Sequence, residues 1–320
     1  MSIEEKIIEI LSSSQSYVSG STLASHLSVS RATINRVIKK LIAKGYFVEV
    51  HPKLGYRLII SDDLSSLSYY VKNLDTGLKY AVYYLPVCSS TQDIAESLAI
   101  EGASEGTIVI AEKMEQGRGR LRRSWSATEG GLWFSIILRP PYIRNLQLIT
   151  LAIGVGVANG IKKSTGVDVR LKWPNDVLLN EKKVGGILVE GKLEADKIHY
   201  IIVGIGVNVN NILPSELTDI ATTLSNVVGK KLQRIPILLS ILREIDTQYS
   251  LLLNGKEKRI ISEWKKLSCT LNKNVEIVMD NERIKGKAVD LLPDGALLVK
   301  THEGKLRRIY FGDIIHLRET

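Results

Sequence analysis

The spacing of apolar side chains changes along the chain, from three or four residues near its start to two near its end, and that change divides it into regions. Ile3, Ile7, Ile10 and Leu11 share one face of a predicted helix. Ser19-Gly20-Ser21 breaks the pattern and caps a second helix, Thr22 to Leu27. Val29 sits in a short turn, and Ser30 caps a third helix, Arg31 to Ala43, that stops at Gly45. Ile34, Val37, Ile38, Leu41 and Ile42 form its buried stripe; Arg31, Thr33, Asn35, Arg36, Lys39 and Lys40 form the opposite face. Tyr46 to Val50 and Gly55 to Ile60 read as two strands around His51-Pro52-Lys53.

Residues 61–80 read as a linker with a short helix, Asp62 to Asn73, and a second region starts near Lys79. Tyr80 to Leu85 is a predicted strand, Cys88 to Gln92 a polar turn, and Asp93 to Glu101 a helix. Gly106 to Glu112 and Gly131 to Leu138 read as buried strands. A long helix, Asn145 to Thr165, carries Ala152, Gly154, Gly156, Ala158 and Gly160. Glycine costs a helix about 1 kcal/mol relative to alanine, so close packing against the sheet is expected there. Two strands within Val169 to Glu190 flank the turn Asn180-Glu181-Lys182, and a further strand spans Lys197 to Asn210. Residues 211–228 have few packing residues, as a mobile loop would, and a helical stretch runs from Ile235 to Leu253 and on through Trp264. Beyond residue 270 short alternating strands, with turns at Asp280-Asn281, Pro293-Asp294-Gly295 and Glu303-Gly304 and a last strand from Ile314 to Leu317, predict a small antiparallel barrel or sandwich.

At 320 residues two or three domains are expected. The formal charge of +9 favours an anionic partner without choosing between DNA, nucleotide and acidic protein. Cys88 and Cys269 have neither metal-ligand spacing nor a disulfide framework, which fits a reducing cytosol. The amphipathic N-terminus is unlike a signal peptide, and no apolar run approaches the ~18 residues of a membrane helix, so no membrane partner is expected.

Candidate chemistry centres on Gln116-Gly117-Arg118-Gly119-Arg120-Leu121-Arg122-Arg123-Ser124-Trp125, between two predicted strands. Its glycines permit close backbone approach, and its arginines place permanently charged forks around phosphate or carboxylate. A solvated basic turn or a nucleic-acid patch has the same composition. Ser90 and Thr91, between a strand and a helix, suit either a polar ligand or helix capping. Pro174 interrupts its strand and turns Lys172, Asn175 and Asp176 toward one site, with Lys183 and the paired Gly185 and Gly186 on the return strand. Gly204-Ile205-Gly206-Val207-Asn208 lacks the third glycine of a dinucleotide fingerprint, so its glycines are read as letting a ligand or loop approach the sheet.

The first sixty residues resemble a winged helix-turn-helix. Ser30, Arg31, Thr33, Asn35 and Arg36 would meet DNA from the third helix and Lys53 from the wing; a protein-docking module is the other reading. Together with Gly117-Arg118-Gly119-Arg120, Lys172-Trp173-Pro174-Asn175-Asp176, Lys183 with Gly186 to Glu190, and Gly204 to Asn208, nearly the whole chain resembles the DNA-binding branch of the biotin–protein ligases, the bifunctional ligases and biotin-operon repressors. The resemblance implies an α+β protein. It would have a winged helix-turn-helix at 1–62, a linker at 63–78, a ligase domain with a class II synthetase-like mixed sheet at 79–268 and an SH3-like β-barrel at 269–320.

It also implies roles. Ser90 and Thr91 would bind the ureido ring of biotin, Gly117 and Arg118 its tail, with Gly186 and Gly204 lining the same site. Arg120, Arg123, Trp125, Lys172, Asn175 and Asn208 would serve the nucleotide, Trp125 and residues 211–228 packing around adenine. Lys183 would touch the biotin carboxylate and the transferred phosphate, and Asp176 would hold Mg2+ and help deprotonate the attacking amine. The implied substrates are ATP and biotin. The implied partners are a biotin carboxyl carrier domain and operator DNA bound by a homodimer, in the cytoplasm. Two positions depart from the family pattern: Met114 stands where Gln is usual and Arg122 where Gly is usual. A repressor with weak ligase activity and a lipoate or octanoate transferase are the competing readings.

Overall fold

Ser19 and Ser30 start helices as expected: the Ser19 hydroxyl accepts the Thr22 N–H at 3.0 Å and the Ser30 hydroxyl the Thr33 N–H at 3.0 Å. The computed structural model describes residues 2–316 apart from 15, 44, 45, 47, 59–61, 73, 143–145, 195, 196, 280 and 281. The expected helix stop at Gly45, the hairpin positions Phe47, Ile59 and Ile60, the helix limits Asn73 and Asn145, the Asp280-Asn281 turn and Leu317 lie outside these residues. The chain divides into two units, Met1–Asp75 and Thr76–Thr320.

In the first unit α1 (Ile3–Ser13), α2 (Gly20–Leu27) and α3 (Arg31–Ala43) precede the antiparallel pair β1 (Val48–His51) and β2 (Gly55–Leu58), and α4 (Leu67–Val71) follows. Ile7, Leu11, Leu23, Ile34, Ile38 and Leu41 are at most 1 % exposed and make the core; of the expected stripes Ile10, Val37 and Ile42 are half-buried against it and Ile3 is exposed. Val18 bonds to Tyr56 in both directions, at 2.8 and 2.9 Å, fastening the hairpin to the segment before α2. Gly55, at φ +104°, allows this, because a Cβ there would lie 2.3 Å from the Val18 carbonyl.

The second unit holds β3 (Ala81–Cys88), α5 (Thr91–Ile100), β4 (Thr107–Met114), β5 (Leu132–Leu138), α6 (Leu146–Thr165), β6 (Arg170–Lys172), β7 (Asp176–Leu179), β8 (Lys182–Glu194) and β9 (Lys197–Val207). The helices α7 (Leu224–Val228), α8 (Arg234–Leu253) and α9 (Glu257–Leu267) follow. The seven strands order as β3-β4-β5-β9-β8-β7-β6, parallel between β3 and β4 and antiparallel elsewhere, a mixed sheet. Residues opposite one another on neighbouring strands share a face. Gly186 lies opposite Gly206, Leu188 opposite Gly204 and Glu190 opposite Ile202, all on the face that α5 partly covers. Ile187 and Ile205 point to the other face, and Ile187 lies beside Gly154 of α6.

The closing strands β10 (Asn274–Met279), β11 (Glu282–Leu291), β12 (Leu297–Thr301), β13 (Leu306–Ile309) and β14 (Asp313–His316) pair antiparallel in the order β13-β12-β11-β10-β14, the small β domain expected from the alternation. Two expectations are corrected. The helical stretch after Ile235 is broken by Gly255 at φ +65°. Most of the close packing of α6 is against a helix rather than the sheet: a Cβ on Gly156 or Gly160 would lie 3.0 or 2.5 Å from the backbone of Ile245 or Ile241 in α8.

Gly154 and Gly160 therefore make opposite predictions. Alanine at either removes the helical cost of glycine, about 1 kcal/mol. At Gly154 the new methyl meets only side chains, at 3.6 Å or more, so Gly154→Ala should raise the melting temperature. At Gly160 it collides with α8 backbone, and overpacking of about 1–3 kcal/mol should win. Thermal unfolding of the two variants checks this; shifts of the same sign would refute the packing assignment.

Candidate active site

On the α5 face of the sheet, beyond the end of α5, lies a cavity of about 320 Å³. Its floor is the glycine track of β8 and β9, and the arginine loop forms one wall. The loop is a narrow arch: the Trp125 N–H bonds to the Gly117 carbonyl at 2.7 Å and the Gly119 N–H to the Arg123 carbonyl at 2.8 Å. The arch lays the Trp125 indole over Gly186 and Gly206. A Cβ on Gly206 would meet that ring at 2.8 Å, and one on Gly186 at 3.2 Å. A loop thus approaches the sheet where the glycines permit it. Among the described residues the buried indole Nε1–H has no hydrogen-bond partner.

The cations of the site are each held by an acid. Arg118 bonds to Asp93 on α5 at 2.7 Å and to Glu190 on β8 at 2.5 Å. Lys183 Nζ is 2.6 Å from Asp176 and 5.1 Å from the centre of the Trp125 ring. Arg120 donates to Asn175 Oδ1 at 3.2 Å and to the Gly312 carbonyl at 3.4 Å, and Arg123 pairs with Asp313, which is also 3.9 Å from Arg120. Burial pulls the Arg120 guanidinium pKa down, opposed by Asp313 and Asp176. It stays charged, because guanidinium starts so high.

The far end of the cavity is polar and small. Ser90 caps α5, accepting the Gln92 N–H at 3.3 Å, and lines the cavity as well, so the capping and ligand readings are compatible. The Thr91 and Ser135 hydroxyls lie 3.0 Å apart, Ser135 donates to Gln92 Oε1 at 3.0 Å, and the Thr91 N–H points at the Met114 sulfur, 3.3 Å away. Gln92 lies on Gly204, where a Cβ would be 2.5 Å from its Oε1.

Ser90, Thr91, Arg118, Arg120, Arg123, Trp125, Asn175, Asp176, Lys183, Gly186, Gly204 and Asn208 all line this cavity. Two expected residues do not. Gly117 is behind the wall, where a Cβ would lie 2.5 Å from the Trp125 carbonyl, so its service is to the loop. Lys172 stands opposite Asp176 in the β6–β7 ladder and is not on the lining. Gln92, Ser135 and Asp313 were missed. Residues 211–228 also differ from an unstructured loop. They contain a 3-10 turn, Ser215–Leu217, and α7, and they bond to both backbone groups of Lys183 through Ile220 and Thr222, at 2.8 and 2.9 Å. Leu213, Leu217 and Ile220 face the cavity. Both thiols are free; burial pushes each up to about 11, which suits no thiolate chemistry. Among the described residues no cluster of three His, Cys, Asp or Glu is placed to hold a metal, and no helix is long and apolar enough to cross a membrane.

In the first unit Arg31, Asn35, Arg36 and Lys39 are exposed along α3 and Lys53 at the hairpin tip, while Ser30 caps α3 and Thr33 is half-buried. Lys40 is paired with Glu4 at 2.6 Å, and Arg57 with Glu49 at 2.7 Å.

The chain matches the Biotin/lipoate A/B protein ligase family over residues 84–208, an HTH domain over 4–57 and the Biotin protein ligase C terminal domain over 270–317. It is 36% identical to the bifunctional ligase/repressor BirA of Bacillus subtilis (strain 168), covering 98% of each chain. It is 30% identical to that of Escherichia coli (strain K12), covering 92% of this chain and 91% of the other. Its structure is similar to that of biotin protein ligase from Aquifex aeolicus in complex with biotin and ATP, with a TM-score of 0.66 and 36% identity, over 74% of this chain and 99% of that one.

Leu121 and Arg122 at the loop tip have φ of +54° and +55°. Left-handed backbone costs a non-glycine residue roughly 1–2 kcal/mol, more than the roughly 0.5–1 kcal/mol that glycine's extra freedom loses on ordering. Arg122→Gly should therefore steady the arch and slow hydrogen exchange at the Gly119 and Trp125 amides a few-fold. Faster exchange would show that entropy outweighs strain.

Proposed function

The chain belongs to the biotin–protein ligase family, in the branch that carries a helix-turn-helix domain, and from that premise we propose how its residues divide the work. It is an ATP-dependent biotin–protein ligase and a biotin-responsive DNA-binding repressor. The observation that carries the chemical assignment is the meeting of Arg120 and Lys183 at the Asn175-Asp176 bend, beside the glycine track.

In the first step a biotin carboxylate oxygen attacks the α-phosphorus of ATP, and the bond to pyrophosphate breaks, giving biotinyl-5′-adenylate. Two anions must meet, so cationic compensation and positioning are the main tasks. Ser90, Thr91, Gln92 and Ser135 form a small polar end suited to a ureido ring. The glycine track of Gly186, Gly204 and Gly206 suits a flat bicycle and an alkyl tail. Arg118, fixed by Asp93 and Glu190, flanks that tail. Lys183 leaves Asp176 for the carboxylate and the α-phosphate, while Arg120 and Arg123 take phosphate oxygens. Trp125, Asn208 and the 211–228 segment hold the nucleoside; Lys172, opposite Asp176 on the neighbouring strand, contributes its charge from outside the lining.

Asp176 is the one carboxylate on the Asn175-Asp176 bend, and Mg2+ typically keeps several waters and takes one or two carboxylates plus substrate phosphates. The residues fit an ion carried in with ATP, which would neutralise phosphate charge. In the second step a lysine amine of the carrier domain attacks the acyl carbon, the bond to AMP breaks, and Asp176 accepts the proton. ATP and operator DNA as ligands support a cytoplasmic setting. Adenylate, by bridging the arginine loop and the 211–228 segment across the cavity, favours a homodimer whose α3 helices read a two-fold site. By linkage, DNA then tightens adenylate binding.

Lys183→Ala should lower biotin-dependent pyrophosphate release by about 10²-fold or more while biotin binding changes far less, because the charge matters most as phosphate charge develops. Near-normal turnover would remove Lys183 from the mechanism. For the repressor, Arg36→Ala should weaken operator binding and flatten its salt dependence by about 0.9 in log–log slope per lost phosphate contact, with pyrophosphate release unchanged. An unaltered slope would favour a protein-docking role for α3.

A further inference from the structure

The acceptor in the second step is a protein domain, and the structure assigns it a seat: we propose that an acidic carrier domain docks on the apolar rim made by Leu121 of the arginine loop with Phe311 and Ile315 of the C-terminal sheet. The inference rests on the ligase reading and deepens it.

The C-terminal sheet reaches the cavity through Asp313, which lines it and pairs with Arg123 while the adjacent Gly312 carbonyl takes Arg120. The two walls therefore touch at these residues, and each presents an apolar side chain to solvent beside the contact. Leu121, at the loop tip between Arg120 and Arg123, is 61% exposed, Phe311 is 63% exposed and Ile315 48%. On β14 Ile314 is buried and Ile315 is not, so Ile315 shares the strand face of Asp313. None of the three serves the core or, in the mechanism above, the small-molecule site.

Geometry demands a partner at this mouth. A lysine amine on its four-carbon stem must reach an acyl carbon held beside Lys183, so the domain bearing it has to rest on whatever rims the cavity. An apolar centre with a charged border is the ordinary make-up of such a contact. Here the border is cationic: Arg122 and Arg123 are exposed beside Leu121. That sign selects an acidic carrier surface and steers it in. A second copy of this strongly basic chain would meet like charge instead.

The full-length protein with Leu121→Asn, Phe311→Ser and Ile315→Thr tests the seat. Asn tolerates the left-handed backbone at 121, and Thr keeps the β-branch on the strand. With hydroxylamine as a small amine acceptor, ATP- and biotin-dependent pyrophosphate release should stay within about twofold of the parent. With a purified biotin carboxyl carrier domain, kcat/KM should fall by about tenfold or more through KM, and the parent's KM should rise with ionic strength. Unchanged carrier transfer overturns the proposal, as does an equal fall with both acceptors, or a loss confined to self-association in sedimentation. A parent protein that forms no adenylate overturns the ligase reading itself, a different outcome from any of these.

Discussion

Positive charge gathered on one side of a single cavity is the constraint from which the rest of the site follows. Arg118, Arg120, Arg123 and Lys183 face a common space, and like charges this close are stable only beside acids. The acids come from elements far apart in the chain: Asp93 from α5, Asp176 from β7, Glu190 from β8 and Asp313 from β14. The seven-stranded sheet and the C-terminal sheet thereby meet at the arginine loop. The same arrangement prepares the proposed reaction, because phosphate and carboxylate oxygens can take the places that Asp176 and Asp313 hold on these cations. Arg118, gripped by two carboxylates, is the member of the set least suited to moving.

Close approach is the second requirement. Gly186 and Gly206 face each other across β8 and β9 and admit the Trp125 ring; Gly204 admits Gln92. Side chains there would lift the loop off the sheet and carry its arginines away from Asn175 and Asp176. The glycines and the arginines are thus one device: the first set the distance at which the second act.

Much of this was legible in the sequence because it is local. Ser19 and Ser30 followed by apolar stripes mark their helices, alternation marks the C-terminal strands, and the Gly117 to Trp125 loop and the Gly204–Gly206 track announce close approach. What was not legible is what depends on distant pairing. Nothing near Asp313 says that it will face Arg123, and nothing near Gly160 says that its neighbour is the α8 backbone rather than the sheet. Gln92 reads as the end of a polar turn until the fold sets it on Gly204. The 211–228 segment did carry a signal that composition hid: Leu213, Leu217, Ile220 and Leu224 recur at helical intervals, and three of them line the cavity.

In the proposed reaction these cations join biotin to a protein lysine through an adenylate. Incubating the protein with ATP, biotin and a purified biotin carboxyl carrier domain, then measuring the intact mass of the carrier, decides whether they do. The carrier should gain one biotinyl group, only when ATP is present and with AMP released, and lipoate should be a poor substitute. A carrier of unchanged mass, or one that takes lipoate in preference to biotin, would contradict it.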